Sequence, residues 1–272
     1  MRARTAVLAL VLVVFVLPLA WTLLAALGVV PDNSSRPPSW SGAFTFDNFT
    51  EVGVAETAFW QELATSTLSA ASSALLTIAV SYPAAYALAR SRSRVESIVT
   101  PSFIVLASLP AMSYVIPLSD LMRRVHLLDT LTGVVLSEAA VTAPLAVYVL
   151  HGAVRLLPTD WEEAALLDGS GLWRTLLQVV LPLVAPSVIA TAIVVFVLDW
   201  NLLLVPLVLT SGEVKTVPVA MSDFFTFERE LEWPEAAAAL VIALAPVALL
   251  VAVFHRALER FSLASSLESS DE

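Results

Sequence analysis

The chain has 272 residues, 58% of them hydrophobic and only 14% charged, with a mean hydropathy of +0.84 and a formal net charge of −10 at pH 7. That balance leaves no stretch polar enough for a soluble domain of ordinary size and defines a polytopic membrane protein. With no cysteine, disulfides, thiolate metal sites and cysteine nucleophiles are excluded, and no basic stripe offers a surface to nucleic acid.

A helical crossing needs about 20 apolar residues, which predicts six spans in an all-α single transmembrane domain, 1–272: residues 5–30, 63–89, 98–122, 131–153, 182–209 and 233–258. The first follows Arg2 and Arg4 as a signal peptide does, but it is too long and lacks a small-residue cleavage site, so it reads as a retained span. Placing both termini in the cytoplasm puts Arg2, Arg4, Arg90, Arg92, Arg94, Arg155, Arg174, Arg256 and Arg260 inside. Arg36, Arg123, Arg124, Lys215 and Arg229 then lie outside, as the positive-inside rule requires.

Between the first two spans, Pro31 to Gln61 is rich in Pro, Ser, Asn and aromatics and reads as an external segment. The second span opens with Thr65, Ser66, Thr67 and Ser69 and closes on Tyr82-Pro83-Ala84-Ala85-Tyr86-Ala87-Leu88-Ala89-Arg90. Such small and hydroxyl side chains let helices approach closely in lipid. Pro101, Pro110 and Pro117 mark the third span as one facing the bundle interior, where neighbours satisfy freed carbonyls. Glu138 in the fourth span and Asp199 in the fifth are costly in lipid and are expected to face partners or water. Trp200 and Asn201 follow directly. An indole stacks on the apolar face of a sugar ring and Asn or Asp bonds its hydroxyls, so Asp199, Trp200, Asn201 and Glu138 are the candidate substrate-path residues. An inter-helix polar clamp is the competing role.

Residues 154–181, between the fourth and fifth spans, form a loop in which charged and polar side chains interrupt the apolar runs. Thr159 and Glu162 have capping-box spacing, which predicts a short helix from Asp160. Gly169 suits a left-handed C′ position, Ser170 the cap of a second helix through Leu172, Trp173, Leu176, Leu177 and Val180, and Pro182 the first turn of the returning span. The tail, 262–272, is Ser- and acid-rich and is expected to be disordered.

Within this loop Glu163-Ala164-Ala165, Gly169, Val179 and Leu181-Pro182 stand in the spacing of the EAA loop of ABC importer permeases. Phe46-Asp47-Asn48-Phe49, the Ala-Ala-Tyr-Ala-Leu-Ala-Arg ending, the Pro110 to Pro117 interval with Leu127-Leu128-Asp129-Thr130, the Trp200-Asn201 pair and Thr216-Val217-Pro218-Val219 resemble the maltose-type carbohydrate branch. The resemblance covers nearly the whole chain, and its tail departs from the pattern.

What the resemblance implies is a type I importer fold in a bacterial or archaeal cytoplasmic membrane. The implied partners are a second homologous permease, two ATPase subunits and an extracytoplasmic solute-binding protein, with a sugar as cargo. Glu163, Ala164, Ala165, Asp168, Gly169, Leu181 and Pro182 become the ATPase-coupling residues. ATP and Mg would be bound by the partner ATPase, since this chain has no G-x4-G-K-[ST] loop and its only lysine is Lys215. No catalytic, metal or cofactor residues are assigned. The alternatives are import of an amino sugar, glycerol phosphate or glycerophosphodiester, and, from another class, a membrane-embedded hydrolase built on Glu138 and Asp199.

Overall fold

In lipid a chain must satisfy its backbone polar groups internally, and the helix does so within one segment. The computed structural model, described over residues 2–32, 39–41, 44–52, 57–91, 94–212, 214–223 and 233–268, is accordingly helical almost throughout. In order come α1 (Arg2–Ala26), α2 (Asp47–Thr50), α3 (Thr57–Ala89), α4 (Arg94–Ala107), α5 (Ala111–Arg124) and α6 (Leu131–Arg155). They are followed by α7 (Asp160–Leu167), α8 (Leu172–Thr175), a π-helical turn (Leu176–Val180), α9 (Leu181–Trp200), α10 (Leu204–Leu209), α11 (Val217–Asp223) and α12 (Trp233–Glu268). The one sheet among the described residues is an antiparallel pair, β1 (Val30–Asp32) with β2 (Ser39–Ser41), in which Val30 faces Ser41.

Among the described residues four helices are long and apolar enough to cross a membrane: Ala58–Ala89, Leu131–Arg155, Leu172–Trp200 and Trp233–Phe254. The predicted third span is not one rod. α4 and α5 meet at 94°, and counting them together gives up to five crossings, with Val11–Ala26 as a shorter apolar helix. Pro110 explains the break: it occupies the N-cap of α5 in extended geometry, and its ring disfavours helical backbone at Leu109. The fifth span also differs. It begins at Leu172, inside the predicted loop, and is interrupted after Trp200 before α10 resumes. α12 runs to Glu268, into the tail expected to be disordered, because Leu263, Ala264, Leu267 and Glu268 are good helix formers; 269–272 lie outside the described residues.

The chain forms two compact units, one of Met1–Ala64 with Thr216–Val247 and the other of Thr65–Lys215 with Ala248–Glu272. In the first, small residues allow close packing: Ala25, Ala26 and Ala237 to Ala239 enclose Phe59, Val217 and Met221. The Phe-Asp-Asn-Phe element earns its place here, since Asn48 Nδ2 donates to the Ala26 carbonyl at 3.0 Å and the Thr45 amide to that of Leu27 at 3.0 Å. Both bonds fill acceptors left open by the end of α1.

The core of the second unit gathers Tyr82 and Ala85 of α3, Val147, Leu150 and Val154 of α6, and Leu176, Val180 and Val184 around the π turn. A smaller cluster joins Val115 and Met122 of α5 to Val205 and Leu209 of α10. Asp129, in left-handed backbone at φ 55°, links the connections on that side. Its carboxylate accepts from the Ser211 amide at 3.1 Å, the Ser211 hydroxyl at 2.8 Å and the Val214 amide at 3.3 Å.

Candidate functional site

The loop after α6 folds as a helical hairpin whose turn follows from Gly169. The Gly169 amide donates to the Leu166 carbonyl and the Ser170 amide to that of Ala165, each at 3.0 Å, with Gly169 at φ 80°. This is the Schellman pattern, and the left-handed residue at its centre favours glycine. Ser170 does not cap the next helix. Gly171 holds the N-cap of α8, without a side-chain bond.

The returning helix passes through the π turn immediately before Pro182, where the Leu181 amide reaches back to the Leu176 carbonyl. Pro182 has no N–H for the carbonyl of Gln178, and its ring would crowd that carbonyl in a regular turn. A widened turn relieves the conflict.

The capping box does not form. Thr159 makes no side-chain cap bond, and the Glu162 carboxylate turns toward α3 instead. Its Oε1 accepts from Arg90 Nε at 2.8 Å and Nη2 at 2.6 Å, and its Oε2 from the Tyr86 hydroxyl at 2.9 Å. Arg90 Nη2 also donates to the Leu157 carbonyl at 3.0 Å. Four residues before Tyr86, the Tyr82 hydroxyl donates to the Leu176 carbonyl at 2.8 Å, on the other arm of the hairpin. A charged bidentate pair in a partly buried setting outcompetes one cap bond, since ionic hydrogen bonds are about twice as strong as neutral ones.

Glu163, Ala164, Asp168 and Gly169 are exposed, Ala165 and Leu181 half-buried, and Pro182 exposed. Around them Trp161, Leu166, Leu167, Leu172 and Trp173 also stand in the open, Leu167 at 89% exposure. These exposed apolar side chains thus surround the exposed Glu163 on one short helical hairpin. Nearby, Glu96 Oε1 lies 3.1 Å from His151 Nε2 and 3.0 Å from Arg155 Nη1, tying the start of α4 to the end of α6.

The candidate path residues fall in a different place. Asp199 Oδ2 accepts from the Ser73 hydroxyl at 2.7 Å, and Thr77 and Thr142 hydroxyls lie 3.3 Å apart. Thr142 also donates to the Glu138 carbonyl at 3.0 Å, so α3, α6 and α9 share a polar seam. Both carboxylates are buried, and Glu138 Oε2 and Asp199 Oδ1 have no hydrogen-bond partner among the described residues. Trp200 is buried with its ring stacked on Phe196 at 5.9 Å, and Asn201, exposed, donates to the Val197 carbonyl at 2.7 Å. Thr142 lines a groove of about 460 Å³ with Ser108, Tyr148 and Leu198. No group of three or more metal-ligating side chains occurs among the described residues.

Sequence reasoning placed Glu162 in a capping box and read Arg90 as an orientation signal and as the end of the Ala-Ala-Tyr-Ala-Leu-Ala-Arg element, but missed that Tyr82, Tyr86, Arg90 and Glu162 meet. The usable sign was the four-residue spacing of Tyr82, Tyr86 and Arg90, which places them on one helix face.

Residues 78–262, more than half of the chain, match the family described as the binding-protein-dependent transport system inner membrane component. The chain belongs to this family. It is 30% identical over 240 residues to the sulfoquinovosyl glycerol transport system permease protein SmoH of Agrobacterium fabrum, covering 88% of this chain and 84% of that one. With the trehalose transport system permease protein SugB of Mycobacterium tuberculosis it shares 36% identity over 177 residues, 64% of each chain. Its fold resembles a chain of a bacterial ABC transporter involved in the import of the acidic polysaccharide alginate, with a TM-score of 0.76 at 19% identity, covering 94% of this chain and 96% of that one. The protein is therefore a multi-pass membrane component of an ABC transport system, and transport is its role.

Proposed function

We propose that this chain is one permease subunit of an ATP-driven importer of a carbohydrate, sitting in a bacterial or archaeal cytoplasmic membrane with six crossings and both termini inside. A second homologous permease completes the pathway, two ATPase subunits bind and hydrolyse ATP with Mg, and an extracytoplasmic binding protein delivers the solute. The observation that carries this reading is the hairpin of α7 and α8, with its exposed Trp161, Leu166, Leu167 and Trp173 around Glu163. The saccharide cargoes named for two relatives favour a sugar over a glycerol phosphate. The hairpin acts as a lever: an ATPase that binds one permease state more tightly shifts the pair toward it by that difference in affinity.

The hairpin face is the docking element, with Glu163 supplying charge, Ala164 and Ala165 close approach, and Asp168 and Gly169 the turn. Leu181 and Pro182 lead back into the membrane. Asp199, Glu138, Trp200 and Asn201 are the residues this reading assigns to the solute path, the two carboxylates from the buried seam that also holds Thr142.

The test is uptake and ATP hydrolysis by the reconstituted complex across neutral sugars, amino sugars and glycerol phosphates. A sugar should stimulate turnover, and Glu163→Lys should lower it about tenfold or more, as reversing a charge at an interface does. Unchanged turnover in that variant removes Glu163 from coupling, and stimulation by phosphates alone overturns the sugar.

A further inference from the structure

Two kinds of connection join the coupling hairpin to the membrane helices. Along the chain, α6 leads to α7 through 156–159, and the far side passes Gly169, at φ 80°, and the π turn before α9 begins. The first is not helical, and the second is a helix that widens at the π turn. α7 itself has eight residues, too few to hold a helix unaided. On the α7 side, covalent continuity through 156–159 thus gives the hairpin little stiffness, whereas the α8 arm runs on into the helix Leu172–Trp200.

Across space the connection is much firmer. Tyr82, Tyr86 and Arg90 recur every four residues on α3, along about 12 Å of one face. Each reaches the hairpin region: Tyr82 the Leu176 carbonyl, Tyr86 the Glu162 carboxylate, and Arg90 both that carboxylate and the Leu157 carbonyl. Glu162 has both oxygens occupied and its side chain is only 9% exposed, with Arg90 at 18%. The adjacent Glu163 points outward, exposed. Two neighbouring carboxylates on one short helix therefore do opposite jobs, one turned to the membrane domain and one to solvent.

We propose that Arg90 and Glu162, completed by Tyr86, are positioning residues that clamp the coupling helix to α3, so that displacement of the hairpin is transmitted to the membrane helices through this contact rather than through the loops. The role rests on the importer reading above. A planar guanidinium gripping one carboxylate oxygen through two donors, while bonding a carbonyl beyond it, resists rotation as well as separation. Loss of either partner leaves the other charge poorly solvated and the helix free to pivot.

The experiment measures solute imported per ATP hydrolysed in the full reconstituted complex, normalised to the ATPase that copurifies. Arg90→Ala and Glu162→Ala should each lower that ratio about five- to tenfold, and the double variant should lose little more than either single one. Arg90→Lys and the exchanged pair Arg90→Glu with Glu162→Arg should recover part of it, which a purely structural defect in assembly would not do. An unchanged ratio per assembled complex, or additive losses in the double variant, overturns the clamp. Should the truncations fail to assemble, Glu162→Gln carries the test, since it keeps the shape and loses the charge: a lowered ratio supports the clamp and an unchanged one overturns it. A wild-type complex with no ATP-driven uptake sinks the importer reading and the clamp with it, whereas normal wild-type coupling with fully coupled variants sinks the clamp alone.

Discussion

Gly133 shows how little space a single residue can be allowed. A Cβ there would collide with the Leu127 carbonyl oxygen, a backbone atom that cannot swing aside. Thr130 caps this same turn, accepting from the Gly133 amide at 3.0 Å while donating to the Leu127 carbonyl at 2.8 Å. Gly133→Ala should therefore destabilise the protein by about 1–3 kcal/mol, the cost of overpacking, read as a lowered unfolding temperature in detergent. Thr130 and Gly133 are legible as a helix start, but the closeness of Leu127 is not, because nothing local to the sequence predicts how the preceding turn folds back. Glu162 makes the same point from the other side. Its spacing from Thr159 fits a capping box, yet the partner that wins is Arg90, 72 residues earlier. Local pattern ranks local partners only.

At the scale of elements, the structure turns on breaks in helices. The 94° bend between α4 and α5 and the π turn before α9 both sit at prolines that the sequence displays openly. What a proline forbids is readable; the direction in which the helix then turns depends on its neighbours, here α6 and α10 against α5. Asp129 belongs to this scale, because it binds the turn before α6 to the connection after α10. Asp129→Ala removes acceptors from two amides and a hydroxyl at 211–214 and should cost about 1–3 kcal/mol. Limited proteolysis should then cut faster within 210–216, and an unchanged cleavage rate would show that the connection is held by other contacts.

For the whole molecule the balance is between apolar surface and buried charge. Leu75, Ile98, Ile116 and Leu249, all at least 66% exposed, are ordinary in lipid, where apolar surface needs no burial in protein. Glu138 and Asp199 are the opposite: no ion pair reaches either carboxylate among the described residues, and each has an oxygen without a partner. Asp199→Asn keeps an acceptor for Ser73 and discards the charge, so it should leave thermal stability unchanged or raise it. Asp199→Leu should lower it, by stranding the Ser73 hydroxyl. If Asp199→Asn also preserves uptake, the seam is a packing device; if it abolishes uptake while stability holds, the carboxylate belongs to the solute path.

Composition and spacing by themselves determined the membrane class, the positions of the apolar runs, and the loop between the fourth and fifth of them with its glycine turn, because lipid solubility and backbone conformation are set residue by residue. The bend of the third span, the start of the fifth at Leu172 and the turning of Glu162 toward α3 were decided only by the tertiary structure. Each is a choice among partners far apart in sequence, and such choices are made by the free energy of packing and ion pairing in three dimensions, which no local pattern contains.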